Sequence, residues 1–265
     1  MIFANHAHIY PKVIKPSGDL DSLKAYMEAC EIDRVVAYAP FPFIFNELKA
    51  DVDNNTWLYQ GLKNNEAITP FGTLDFQRDD LTDQIERIVS YGFKGIKLHP
   101  AAQNFALTEE RAFEVYAIAQ EHNLFLSFHT GIHHSRLRDS LPILFDEIAY
   151  NFTSLRFSME HMGGYSFFND CLAVMKNNDR EGRQPRVFAG WTSIEDKPKS
   201  AWALTDEQLE RLVAQTGEQN SIFGLDFPFN DIEYTKRAIE RIRGLKISDS
   251  AKENILGLNL LREIG

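Results

Sequence analysis

The sequence predicts a single-domain α/β protein, a (β/α)8 TIM barrel. Short, β-rich apolar runs alternate with longer stretches of helical period from one end to the other, the pattern of strand-then-helix units around a parallel sheet. The runs number eight. The 265 residues are used up by those eight units, a length that such a barrel fills as one domain.

The strands are read at 2–9, 34–39, 67–74, 95–98, 124–129, 155–161, 186–191 and 221–226, each short and rich in β-branched or aromatic residues. Amphipathic stretches at 20–30, 81–89, 109–121, 141–150, 205–214 and 232–242 supply helices between them, and 44–63 is read as a helical second connection. An open doubly wound sheet fits less well, because it more often has five or six strands and a Gly-rich first turn, and no GxGxxG follows the first run. The polar stretch 177–184 reads as a surface loop before the seventh strand. No linker or Pro/Gly-rich boundary divides the chain, so one domain over 1–265 is expected.

Composition narrows the class of partner. With 44% apolar and 25% charged residues the chain is ordinary for a globular protein. A formal charge of −10 without any Lys/Arg run argues against nucleic acid, whose phosphates need a clustered basic surface. No stretch approaches the roughly 18 to 20 apolar residues of a membrane span. The N-terminus lacks the basic-then-apolar pattern of a signal peptide, so no membrane partner and a cytoplasmic location are expected. Cys30 and Cys171, far apart and outside any Cys-x-x-Cys pair, read as reduced packing residues.

The histidines carry the chemistry. Of eight, His6, His8, His99, His129 and His161 fall at or just past the C-terminal ends of predicted strands, and His133 and His134 follow in the loop after the fifth. Barrel active sites are built at that end, so the clustering is a statement about function. His122, at a helix C-terminus, reads as a partner of the helix dipole. His6 and His8, two apart on a strand, project to one face and can offer two imidazoles to one ion. The fifth, sixth and eighth strands end in His129-Thr-Gly131, His161-Met-Gly-Gly164 and Asp226-Phe-Pro228. Three imidazoles and a carboxylate drawn from such positions suit zinc or a similar borderline ion with one position open to water.

These residues resemble the amidohydrolase superfamily, and within it the amidohydrolase-related branch that includes aminocarboxymuconate semialdehyde decarboxylase and its hydrolase and hydratase relatives. The similarity rests on His6-Ala-His8, on the three strand ends just quoted, on Gly95-Ile-Lys-Leu-His-Pro100 and on the closing Glu253-Asn-Ile-Leu-Gly-Leu258. The resemblance implies that His6, His8, His129 and Asp226 ligate one divalent ion, with zinc the first choice, and that His161 lies close by as acid/base or polariser of substrate. Asn5 departs from relatives that carry Asp before the His-x-His, and it is expected to point away from the ligands and hydrogen-bond within the barrel wall. Lys97 matches a lysine that bridges two metals, when carboxylated, in other branches; in this generally mononuclear branch it reads instead as a holder of a substrate carboxylate or as a packed stem. Arg136 is a second candidate for a carboxylate, held bidentately, and His99, His133 and His134 sit where substrate loops belong. Trp191, Phe227 and Phe229 read either as pocket walls or as core packing.

The function expected is a metal-dependent hydrolase of a small carbonyl or carboxylated substrate, using a metal-activated water with Asp226 as its base. Non-oxidative decarboxylation at the same site is the alternative, and a non-catalytic metal- or ligand-binding barrel the third reading. The partner expected is a small molecule, and a homodimer is the assembly that the resemblance makes plausible.

Overall fold

Eight parallel strands close on themselves in chain order in the computed structural model, which describes all residues except 64, 180–185 and 195–199. They are β1 (Phe3–His8), β2 (Arg34–Tyr38), β3 (Ile68–Thr73), β4 (Gly95–Leu98), β5 (Phe125–His129), β6 (Arg156–Glu160), β7 (Val187–Thr192) and β8 (Ser221–Phe227). Outside them lie α1 (Leu20–Ala29), α2 (Asn54–Gly61), α3 (Leu81–Ser90), α4 (Glu110–Glu121), α5 (Phe145–Asn151), α6 (Gly164–Asn177), α7 (Asp206–Thr216) and α8 (Ile232–Gly244).

Helix starts follow capping chemistry. Asp19, Asp53, Thr205 and Asp231 each accept a hydrogen bond from a backbone N–H in the first turn of α1, α2, α7 and α8, satisfying a donor that the helix itself leaves unpaired. The second connection is not one helix over 44–63. A turn at Pro42–Phe45 and a 3-10 turn at Asn46–Leu48 end at Lys49, whose φ of 51° is left-handed, and Asp53 then starts α2 afresh. Pro142 likewise makes the start of the 141–150 stretch a 3-10 turn, and α5 follows. The helix α6 occupies a connection that periodicity did not single out; the loop read at 177–184 lies outside the described residues from 180 onward. Beyond α8, Asp249–Glu253, Asn254–Leu258 and Asn259–Ile264 form a helical segment with a π turn in its middle.

Alternation along the strands sorts side chains into two cores. Outward positions, Trp191 among them, pack under the helices; Trp191 and Phe227 therefore belong to the sheet–helix core rather than to a pocket wall. Inward positions at the strands' N-terminal ends, including Phe3, Phe71, Phe125, Phe188 and Ile222, form a separate apolar floor with Leu260 and Ile264 of the C-terminal segment. Further up, the same face turns small and polar. Glycine is required twice at that level: a Cβ at Gly190 would collide with the Glu160 carboxylate, and one at Gly224 with the Thr192 hydroxyl. At the top come histidines and Asp226. Cys30 and Cys171 are buried and free. No described helix is long and apolar enough to cross a membrane.

Candidate metal centre

β1 is irregular where its chemistry lies. His6 has a φ of 69°, and the register shifts between Ala4 and Ala7 against β2 and between Asn5 and Ala7 against β8, as at a bulge. The bulge re-aims two neighbours. Asn5, expected on the far face of the strand, instead donates from Nδ2 to Glu160 Oε1 at 2.6 Å, while its Oδ1 accepts from the Tyr38 hydroxyl at 2.9 Å. His6 stands beside it, its ring 5.1 Å from that of His8.

These two imidazoles converge on one carboxylate oxygen. Asp226 Oδ1 is 3.3 Å from His6 Nε2 and 3.8 Å from His8 Nε2, and one ligand atom from each of the three residues lies within 4.8 Å of the others. The other oxygen, Oδ2, accepts from the Ser193 hydroxyl at 3.1 Å, which itself accepts from Asn230 Nδ2 at 3.0 Å. Burial would raise the Asp226 pKa, but the hydrogen bond and charge of His6, with His161 and His8, hold it well below the usual carboxylate range. Burial, with His6 and Lys97 close by, pushes His8 well below the usual imidazole value despite Asp226, so its ring is neutral near pH 7.

His161 and His129 stand alongside. The His161 ring is 5.3 Å from His6 and 4.8 Å from His129, and its Nδ1 is 3.1 Å from the Thr192 carbonyl oxygen. A carbonyl only accepts, so Nδ1 carries the proton and Nε2 a lone pair. Burial brings the His161 pKa down to about 4, against the opposing pull of Asp226, which makes the resting ring an acceptor. His129 lies outside the trio of convergent ligand atoms. It stacks on His99 at 3.8 Å between centroids, and its buried Nε2 has no hydrogen-bond partner among the described residues.

The two candidate cations part company. Lys97 is fully buried, with Nζ 3.5 Å from His6 Nδ1 and 3.4 Å from His6 Nε2; burial lowers its pKa to about 8 although Glu160 and Asp226 pull the other way. The structure does not bring Arg136 into the cluster. Its guanidinium is exposed, 3.7 Å from Asp139, and lines a surface cleft with Pro100 and Phe105. Of the loop histidines, His133 meets the His99 ring at 4.4 Å, and His134 is exposed. Phe229 is exposed but reaches the His8 ring at 5.7 Å.

Three residues escaped the sequence reading. Glu160 is a fully buried carboxylate beside His6; the signal available was a charged residue inside a predicted barrel strand. Ser193 follows β7 and holds Asp226. Trp202 packs 4.7 Å from His161 and 5.3 Å from His129, and a tryptophan in a long connection carries no signal that would place it there.

The donor set suits a divalent cation. The neutral ring of His8 offers a lone pair, and with His6 and the Asp226 carboxylate it makes up the nitrogen and oxygen donors that such an ion takes. The partnerless Nε2 of His129, the next imidazole in the cluster, fits the same reading.

The model of a family described as Amidohydrolase matches residues 16–262. No curated protein sequence matches the chain. Among solved structures, an uncharacterized TIM-barrel protein of Bordetella bronchiseptica superposes with a TM-score of 0.77 at 15% identity, over 99% of this chain and 97% of that one. A protein assigned as a 2-pyrone-4,6-dicarboxylic acid hydrolase from Pseudomonas putida gives 0.69 at 16% identity, over 100% and 97%. A dihydroxybenzoic acid decarboxylase from a Polaromonas species, with bound manganese and the inhibitor 2-nitroresorcinol, gives 0.69 at 13% identity, over 99% and 96%. At these identities the likeness is one of fold.

Proposed function

The chain belongs to the amidohydrolase family, and from that membership and the cluster at the barrel mouth we propose a metal-dependent hydrolase of a small carbonyl or carboxylated substrate. The observation that carries the proposal is the convergence of His6, His8 and Asp226 on one point, with the partnerless Nε2 of His129 nearby. These four residues would hold one ion. Zinc is our choice, from three imidazoles and a carboxylate; the manganese of a structural neighbour is the rival. Such an ion supplies Lewis acidity, lowering the pKa of a water and polarising a substrate oxygen.

The protein's own groups handle the proton. Asp226, with Oδ2 held by Ser193 and Oδ1 turned toward the histidines, accepts it from the attacking water. His161 enters as a neutral ring whose Nε2 accepts a hydrogen bond or a proton, and it delivers a proton to the leaving group only after receiving one. Of the two cations, Lys97 lies inside the cluster and Arg136 outside it, so Lys97 is assigned to a substrate carboxylate.

Decarboxylation is the second reading. A buried lysine among the histidines gives a carboxylate a place to bind, and both a hydrolase and a decarboxylase share the fold. The test is a panel of lactones, amides and aromatic or enoic acids, with turnover run in heavy-oxygen water and carbon dioxide trapped. Label in the product without carbon dioxide is the expected result; carbon dioxide without label overturns hydrolysis in favour of decarboxylation.

A further inference from the structure

The contacts of Glu160 are those of an ionised carboxylate at the end of a hydrogen-bonded chain. Oε1 accepts from Asn5 Nδ2 at 2.6 Å, from the Ser127 hydroxyl at 3.2 Å and from the Ser158 hydroxyl, and Oε2 accepts from the Thr192 hydroxyl at 2.7 Å. Donors from β1, β5, β6 and β7 are thus spent on one buried side chain, and Gly190 of β7 leaves it room. One further contact remains on Oε2, His6 Nδ1 at 3.4 Å.

We infer that Glu160 is a positioning residue that orients the His6 ring for metal, accepting from Nδ1 so that Nε2 is aimed at the ion site beside Asp226. Each ring nitrogen faces a carboxylate oxygen, Nδ1 that of Glu160 at 3.4 Å and Nε2 that of Asp226 at 3.3 Å; an ion held at Nε2 leaves the proton on Nδ1, and Glu160 can only accept from it. Lys97 does not orient the ring, because its Nζ is nearly equidistant from the two ring nitrogens, at 3.5 and 3.4 Å. Asn5 locks the arrangement: with its Oδ1 taken by Tyr38, its amide hydrogens face Glu160. Gln in place of Glu160 would turn either an amide oxygen or an amide N–H toward Nδ1, and the second selects the wrong tautomer.

The inference rests on the proposed metal site and is tested apart from turnover. Glu160→Gln should weaken metal binding, read by competition with a chelator, by about 10- to 100-fold, the range for residues that orient a ligand. A merely structural loss would lower the melting temperature and leave the affinity of the folded protein unchanged, and that result overturns the inference. Histidine nitrogen NMR on the unaltered protein gives a second readout that needs no variant to fold. His6 should appear as the Nδ1–H form once metal is loaded; the Nε2–H form in the loaded protein overturns the assignment. A parent protein that binds no metal would instead refute the proposed function on which the inference rests.

Discussion

The two ends of the barrel's interior are built from the same strands with opposite materials. At the floor, Phe3, Phe71, Phe125, Phe188 and Ile222 close the N-terminal end with Leu260 and Ile264, and every one of them is buried. At the mouth, His6, His8, Asp226, His129 and His161 gather imidazoles and a carboxylate in one place. Between them runs the hydrogen-bonded layer of Asn5, Tyr38, Ser127, Glu160 and Thr192. The contrast separates two tasks: apolar burial at the floor makes the barrel stable, which lets the mouth hold an arrangement that costs stability.

The largest effect that should divide the two regions is on stability. Phe125→Ala removes a fully buried ring from the floor and should destabilise the protein by about 3–5 kcal/mol in denaturant titration. Metal affinity of the folded variant should stay near the parent's. A floor variant that emptied the metal site without unfolding would dissolve the distinction.

His161→Ala reverses the pattern. It should cut turnover about a hundredfold or more, as for a positioned acid/base, and leave metal content unchanged. If the metal were lost instead, His161 would be a ligand, and the tautomer set by the Thr192 carbonyl would serve coordination.

Acid should weaken the mouth more gradually. Burial holds His161 down to about 4 and His8, His99 and His129 well below the usual imidazole value of 6.5. The unfolded chain therefore binds more protons below pH 6.5, and metal-free protein loses stability as pH falls from there toward 4. His161 alone accounts for a loss on the order of 1–2 kcal/mol between pH 7 and 5. Glu160, held at about 2 against burial by His6, Lys97 and Ser158, adds a second loss as pH drops below 4.5. Lys97 acts at the other end: its depressed pKa of about 8 makes stability rise between pH 8 and 10.5. Melting curves of metal-free protein across these ranges check the signs, and a flat profile from pH 7 to 5 would mean that the histidines are not buried neutral.

Much of this was legible in the sequence, and the illegible part has physical reasons. Each strand carries its layers in alternate letters, as in Phe125-x-Ser127-x-His129 and Ile222-x-Gly224-x-Asp226, so eight strands and a histidine-rich mouth follow from periodicity. Regular alternation also predicts that Asn5 faces away, and there it fails, because the left-handed φ at His6 inserts a bulge that no residue type announces. Glu160 was visible as a charge within a strand, yet its donors come from β1, β5 and β7, separated from it by as many as 155 positions. Arg136 looked suitable by chemistry, but its place on a loop carries it to Asp139 at the surface. Trp202 arrives against His161 from a connection whose path only the tertiary structure defines.

The central claim is that the mouth holds one ion between His6, His8, His129 and Asp226. Anomalous diffraction from crystals grown with zinc or manganese tests it most directly. The account predicts a single peak at about 2.0–2.3 Å from His6 Nε2, His8 Nε2, the His129 ring and an Asp226 oxygen, with Lys97 unmodified. An empty mouth, or two peaks bridged by a carboxylated Lys97, would contradict it.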